Sequence, residues 1–407
     1  MISIPDAYLG VLKRRDFFVL ILTVFLGQIA SASLVLSLIT SVFIRTGSNF
    51  GVSGIILSVS FPALILMALA GVVSDILDRR KIIIFTNLLI TLIVLATLFF
   101  IDKVYLVISL SFLYFAVNSF FYPAVSAATS QLVKKEQLGY ANSVFFLTLA
   151  GGQIFGFFIA AIFQFFFGNK SLLFLTEAVL AGAFVLSLFL PKLYPRKQPE
   201  PSPILIVGDI WKFLNYIFKA KTIWFYFLIL ASCQAIIAFG ITIAPGFFDQ
   251  VVGLPITKSP LFIFPPVAIG IVLGVFFKPK FSEGFKTSLG FGVVGIATVV
   301  LGFIVSLNLV RNYILLFTTI YLTLGGIGLM ILMIVSRTVL QKRVAHQFQG
   351  TIFGANFVVS SFLASIASLL AASLVSFFNY AVVLSFAGLS FLVISFVISL
   401  MRKRWRF

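Results

Sequence analysis

The chain has 407 residues, 61% of them hydrophobic and 10% charged, with a formal net charge of +18. A soluble domain carries about 25% charged residues, so this composition excludes a water-soluble globular fold and implies a helical membrane protein. The cations lie in short gaps between apolar runs rather than in one basic block, which argues against nucleic acid as a partner and for anionic membrane lipid.

The apolar runs place membrane helices at 17–44, 51–74, 82–101, 104–130, 139–166, 171–190, 222–245, 259–277, 287–306, 313–336, 350–375 and 381–401. The first run follows Lys13, Arg14 and Arg15 and contains Ala30-Ser31-Ala32, which imitates a secretory signal with its cleavage site. The apolar stretch continues to Ile44, too long for a signal, and reads as the first span. With the N-terminus in the cytoplasm, the outer loops hold only Arg45, Lys103, Lys170, Lys258 and Arg311 of the 29 basic residues. The positive-inside rule then puts both termini in the cytoplasm, in a multi-pass protein of the cell's cytoplasmic membrane.

The longest polar gap, 191–221, contains Pro191, Pro195, Pro199, Pro201 and Pro203 and divides the chain at its middle. The expected fold is an all-α polytopic membrane protein with twelve transmembrane helices in two six-helix pseudo-symmetric halves, 1–190 and 222–407. Within the basic cytoplasmic linker, 204–221 alternates apolar residues with Lys212, Lys219 and Lys221 and reads as an amphipathic helix on the inner leaflet.

The second span ends in Gly71-Val-Val-Ser-Asp75-Ile-Leu-Asp78-Arg79-Arg80-Lys81. Gly71 would allow a neighbouring backbone to approach. Asp75 at the membrane edge would cap a facing helix or pair with a guanidinium. The cluster can act as a gating latch between the halves; the simpler reading is a loop that sets topology. The segment resembles the loop signature of the major facilitator superfamily. Asp78, in place of that signature's second Gly, resembles the macrolide-efflux and siderophore-exporter branch of its drug:proton antiporters. Gly27-Gln28, Thr46-Gly47-Ser48, Pro62, Tyr122-Pro123-Ala124, Gln137-Leu138, Ala141-Asn142 and Gln349-Gly350 are similar to that branch as well. The resemblance implies a transporter that works by alternating access around a central cavity, with a proton as the coupling ion. The chain departs from the pattern at Ile76, Tyr114 and Thr351, where Arg is common, and at Phe157, where the antiporter helix has Pro. Gly152 and Gly156 keep the small-residue spacing that helix packing needs.

Glu177 is the one acidic residue well inside a span. Ionised, it would cost about 2.5–3.5 kcal/mol on insertion scales, which makes it the proton-coupling candidate, with a structural carboxyl as the bland alternative. Tyr114, Asn118 and Tyr122 share one face of the fourth span. With Gln28, Ser31, Tyr226, Gln234 and Tyr321 they are the candidate lining of a substrate cavity, since the resemblance places the first, fourth, seventh and tenth helices around it. Interhelical packing is the competing reading for each. Pro123, Pro265 and Pro266 interrupt their helices and mark kinks.

One cysteine, Cys233, and one histidine, His346, leave no disulfide and no metal-ligand spacing. There is no phosphate-cradling Gly-rich loop ending in Gly-Lys-Ser/Thr. No cofactor, metal or enzymatic activity is expected. The expected function is export of an amphipathic, drug-like or siderophore-like small molecule by a monomer. The alternatives are a lipid or lysolipid flippase of the same fold and a non-transporting scaffold or sensor.

Overall fold

The computed structural model describes residues 4–194, 220–276, 281–307, 309–344 and 349–405, and every regular element among them is helical. A short helix α1, Ile4–Leu12, precedes α2, Arg15–Thr46. The first unit continues through α3, Asn49–Ile76; α4, Arg79–Phe100; α5, Val104–Leu132; and α6, Leu138–Leu188. Then follow α7, Lys221–Gly246; α8, Ser259–Phe276; α9, Glu283–Ser306; α10, Arg311–Arg343; α11, Gln349–Phe377; and α12, Tyr380–Trp405.

Eleven of these helices, all but α1, are long and apolar enough to cross a membrane. Apolar sequence alone makes them helical here, because hydrocarbon offers no partner for an open backbone N–H or C=O. At 51 residues α6 is about 77 Å long, more than twice a bilayer core of about 30 Å. Gly168 divides it, with φ 79° and ψ 173°, a conformation costly for any residue with a Cβ. The two arms, 138–167 and 169–188, make twelve crossings among the described residues.

Local chemistry sets the helix ends. Gly47 closes α2 in the left-handed conformation, its N–H bonding to the Phe43 carbonyl at 2.8 Å. Asp78 caps α4 by accepting from the Arg80 N–H at 3.0 Å. Past the end of α7 the chain makes one π-helical turn, Phe247–Val252, which Gly253 ends at φ 70°.

The chain forms two compact units, Met1–Gly47 with Leu57–Gln198, and Ser48–Ile56 with Pro199–Phe407. In the first, α2 packs along α6, while α4 packs on α5 and α6. In the second, α7 packs along α11, and α9 packs on α10 and α12. Glycines set the closest crossings. A Cβ on Gly152 would lie 2.8 Å from the Gln28 Cβ, and one on Gly156 would lie 2.7 Å from the Ile29 Cα. In the second unit Gly270 of α8 meets Gly326 of α10, and Gly388 of α12 meets the backbone of α9 at Gly295. With no apolar driving force between helices in lipid, such backbone contact is a main source of association.

Two expectations need correction. No described residue of its own unit comes within 4 Å of a Cβ placed on Gly71, so among those residues it serves no close crossing. Pro123, Pro265 and Pro266 do not interrupt their helices: α5 and α8 run through them. Inside a protein-packed bilayer segment, neighbouring groups and local adjustments tolerate the missing N–H. The chain before the first span is also helical: α1 packs on α6, with the Tyr8 and Tyr140 rings edge to face at 5.1 Å. The amphipathic stretch expected at 204–221 lies outside the described residues except for Ala220 and Lys221.

Candidate functional site

In the first unit, α2 and α5 bring a set of uncharged polar side chains together. Gln28 and Ser31 are three apart on α2; Tyr114, Asn118 and Tyr122 are at four-residue steps on α5, so each set shares a face. The Gln28 Nε2 donates to the Tyr122 hydroxyl at 2.7 Å. Asn118 lies near that hydroxyl, and Ser31 near that of Tyr114. Gln28, Ser31, Tyr114 and Asn118 are buried, and Tyr122 is half-buried. The rings of Phe115 and Phe121 stand edge-on to Tyr114 and Tyr122 at 5.0 and 5.9 Å. Gly152 of α6 backs the cluster: the absence of a side chain there leaves room for the Gln28 stem. The arrangement offers hydroxyl and amide groups that can donate or accept beside aromatic faces, with no formal charge.

The corresponding candidates of the second unit are placed differently. Tyr226 is fully buried in the core between α7, α9, α10 and α11, with Thr287 of α9 near its hydroxyl. Tyr321 packs on a second core cluster, and its hydroxyl pairs with Thr298, also on α9. Gln234 is exposed on α7.

Glu177 lies on the second arm of α6 and is half-buried. Its Oε2 is enclosed and has no hydrogen-bond partner among the described residues. It is not joined to the Gln28–Tyr122 pair by any hydrogen bond among those residues.

The loop motif builds a compact anchor. Asp78 accepts from the N–H of Leu193 at 3.2 Å as well as from Arg80. The Arg79 N–H donates to the Leu193 carbonyl at 3.2 Å, and its Nε to the Ser74 carbonyl at 3.3 Å. The Arg80 Nη2 donates to the carbonyl of Leu188 at 2.8 Å, at the end of α6. Gln131 adds a bond from its Nε2 to the Tyr194 carbonyl at 2.9 Å. Lys81 is exposed, and the side chain of Asp75 lies outside the described residues. The motif thus holds the segment that leaves α6.

Two polar seams escaped the sequence reading. Along α2 and α6, Gln164 Nε2 donates to Thr40 Oγ1 at 2.9 Å, and Asn169 Nδ2 to Ser41 Oγ at 2.6 Å. Along α7 and α11, Asn356 Nδ2 donates to the Phe227 carbonyl at 2.8 Å, and Thr242 and Ser368 share a 2.7 Å bond. The signal was present as hydroxyls at Ser33, Ser37 and Ser41, one turn apart, and at Ser361, Ser365 and Ser368.

The fold is thus a bundle of membrane-length helices with a neutral polar cluster between α2 and α5. The model of the Major Facilitator Superfamily matches residues 16–369, and the chain belongs to that superfamily. Among solved structures, the nucleoside transporter NupG is similar over 96% of this chain and 99% of its own, with TM-score 0.74 and 13% identity. The POT family transporter PepTSo is similar over 97% and 98%, with TM-score 0.74 and 12% identity. At such identity the likeness concerns the fold alone. No curated protein matches the sequence.

Proposed function

We propose that this superfamily member exports an amphipathic small molecule by alternating access, within the macrolide-efflux and siderophore-exporter-like branch. The observation that carries the reading is the uncharged cluster Gln28–Tyr122–Asn118 with Tyr114 and Ser31. A transported nucleotide or dicarboxylate needs cationic partners inside the membrane, because an ion stripped of water is costly there. Hydroxyl, amide and aromatic groups instead suit a substrate that is largely apolar with a few hydrogen-bonding groups.

A proton is the proposed counter-ion, and Glu177 the residue that carries it. Its enclosed Oε2, without a hydrogen-bond partner among the described residues, supports that choice. The two termini lie in the cytoplasm, as the distribution of Lys and Arg requires. The halves are 1–190 and 222–407, joined by the basic 191–221 linker, and the working unit is the monomer.

Inside-out membrane vesicles containing a pH-sensitive dye and an imposed proton gradient test the reading. Addition of an amphipathic compound that is a substrate is expected to dissipate the gradient, and Glu177→Gln to abolish that response at equal protein level. A response undiminished in Glu177→Gln would remove Glu177 from the coupling.

A further inference from the structure

Where α2 meets the two arms of α6, uncharged polar side chains gather beside the Gly168 turn, all within the first unit. Gln164 of the first arm donates through Nε2 to Thr40 Oγ1 at 2.9 Å. Asn169 of the second arm donates through Nδ2 to Ser41 Oγ at 2.6 Å and to the Ser37 carbonyl at 3.2 Å. Thr40 and Ser41 are successive residues, so the two amides meet α2 at one level. Ser33 lies seven residues before Thr40, on the same face two turns away. Ser33, Ser37, Thr40 and Gln164 are each at most 1% exposed.

Each amide is bonded to α2 through its nitrogen alone. The Gln164 Oε1, the Asn169 Oδ1 and the Ser33 Oγ are enclosed and have no partner among the described residues. Buried polar atoms are nearly always hydrogen-bonded. Turning the amides over does not supply the missing bonds. The Ser37 carbonyl only accepts, so Asn169 must keep its Nδ2 there. Reversing Gln164 would give its oxygen to the Thr40 hydroxyl and leave Nε2 bare instead. Two carbonyl oxygens cannot bond each other and need a donor between them. None of these side chains has a formal charge, which disfavours a bare cation inside a span. Water offers two donors and can accept from the Ser33 hydroxyl in return. Asn169 is half-buried and Lys170 beside it is exposed, so the turn is the open end of the junction.

We propose that this junction is a binding site for ordered water inside the membrane-spanning bundle, with one molecule bridging the Gln164 and Asn169 oxygens and others continuing to Ser33. Thr40 and Ser33 are about 10 Å apart along α2 at 1.5 Å per residue. Two waters linked by bonds of about 2.8 Å cover that length. The site lies within one unit and does not depend on what the protein transports.

A crystal structure of the full chain, at a resolution where ordered water is visible, tests the site directly. The expected result is density at about 2.6–3.2 Å from both the Gln164 Oε1 and the Asn169 Oδ1. Both oxygens bonded to protein groups, with no density between them, would overturn the proposal. So would density surrounded by the short, many-oxygen shell of a metal cation. A double-mutant cycle on thermal unfolding gives an independent reading. If Gln164→Leu or Asn169→Leu alone already displaces the bridging water, the unfolding constant of the double variant differs several-fold from the product of the single effects. Effects that multiply without such a difference would overturn the bridge. If neither variant folds, the density of the unsubstituted chain decides alone.

Discussion

The carboxylate of Asp78 accepts from the backbone N–H of Leu193, 115 residues further along the chain, at 3.2 Å. The same oxygen caps α4 through Arg80. One side chain therefore fixes the start of one span and the chain that leaves another.

Asp78→Ala is expected to cost about 0.5–2 kcal/mol, the range for a lost helix cap, and the loss should appear as a lower midpoint of thermal unfolding in detergent. It should also open the bonds around Leu193, so that limited proteolysis cuts near 190–194 sooner. An Asp78→Asn variant, which still accepts a hydrogen bond, should retain most of the stability. Equal loss in both would mean that charge, not capping, holds the segment.

The glycine crossing between α2 and α6 gives a graded test. Gly156→Val forces a side chain against the Ile29 backbone and should destabilise by about 1–3 kcal/mol, as overpacking does. Gly151→Ala meets nothing within 4 Å on a neighbouring turn of the same helix and should be neutral or slightly stabilising. Thermal unfolding of the two variants in the same detergent separates them. Similar midpoints would contradict the close crossing.

Gly246 lies beneath the buried bond from Asn49 Nδ2 to the Tyr380 hydroxyl, 2.9 Å long. A Cβ on Gly246 would run into that hydroxyl, so Gly246→Ala should destabilise the second unit. Tyr380→Phe removes the nearest obstacle, and the double variant should regain part of the lost stability despite the missing bond. Additive losses would show that Tyr380 is not what Gly246 accommodates.

Gln28→Leu and Tyr122→Phe each break the 2.7 Å bond between α2 and α5. Their interaction energy from a double-mutant cycle on stability should be about 0.6 kcal/mol, the average for hydrogen bonds between membrane helices. Transport should suffer far more than stability, and the two single variants should be impaired alike. Full transport in both would leave the cluster a packing feature.

The sequence was legible where composition and periodicity are strong. Runs of about twenty apolar residues with charges in the gaps mark the spans, and the motif at Gly71–Lys81 pointed to the superfamily that residues 16–369 match. The turn at Gly168 was expected only as a short loop between 166 and 171, because a single left-handed glycine has no signature beyond its own identity. The side chains were less legible. Tyr114, Asn118 and Tyr122 share a face, as helical spacing foretells, and the Gln28 amide bonds to Tyr122 on it, a pairing that only the family resemblance suggested. Tyr226 and Tyr321 instead pack into two core clusters of the second unit. Spacing within one helix fixes a face but not which neighbour that face meets. The anchor at Asp78 depends on backbone groups of Leu188 and Leu193, whose contribution does not depend on side-chain type and so leaves no trace in sequence.

The most direct test of proton-coupled export uses purified protein in sealed vesicles loaded with an amphipathic compound that it releases. Efflux is followed with and without an imposed proton gradient, for the unsubstituted chain and for Glu177→Gln. The account predicts efflux that a gradient accelerates in the unsubstituted protein, with Glu177→Gln losing the acceleration and Tyr122→Phe losing the efflux. Release at the same rate whatever the gradient, or in both variants as in the unsubstituted chain, would contradict it.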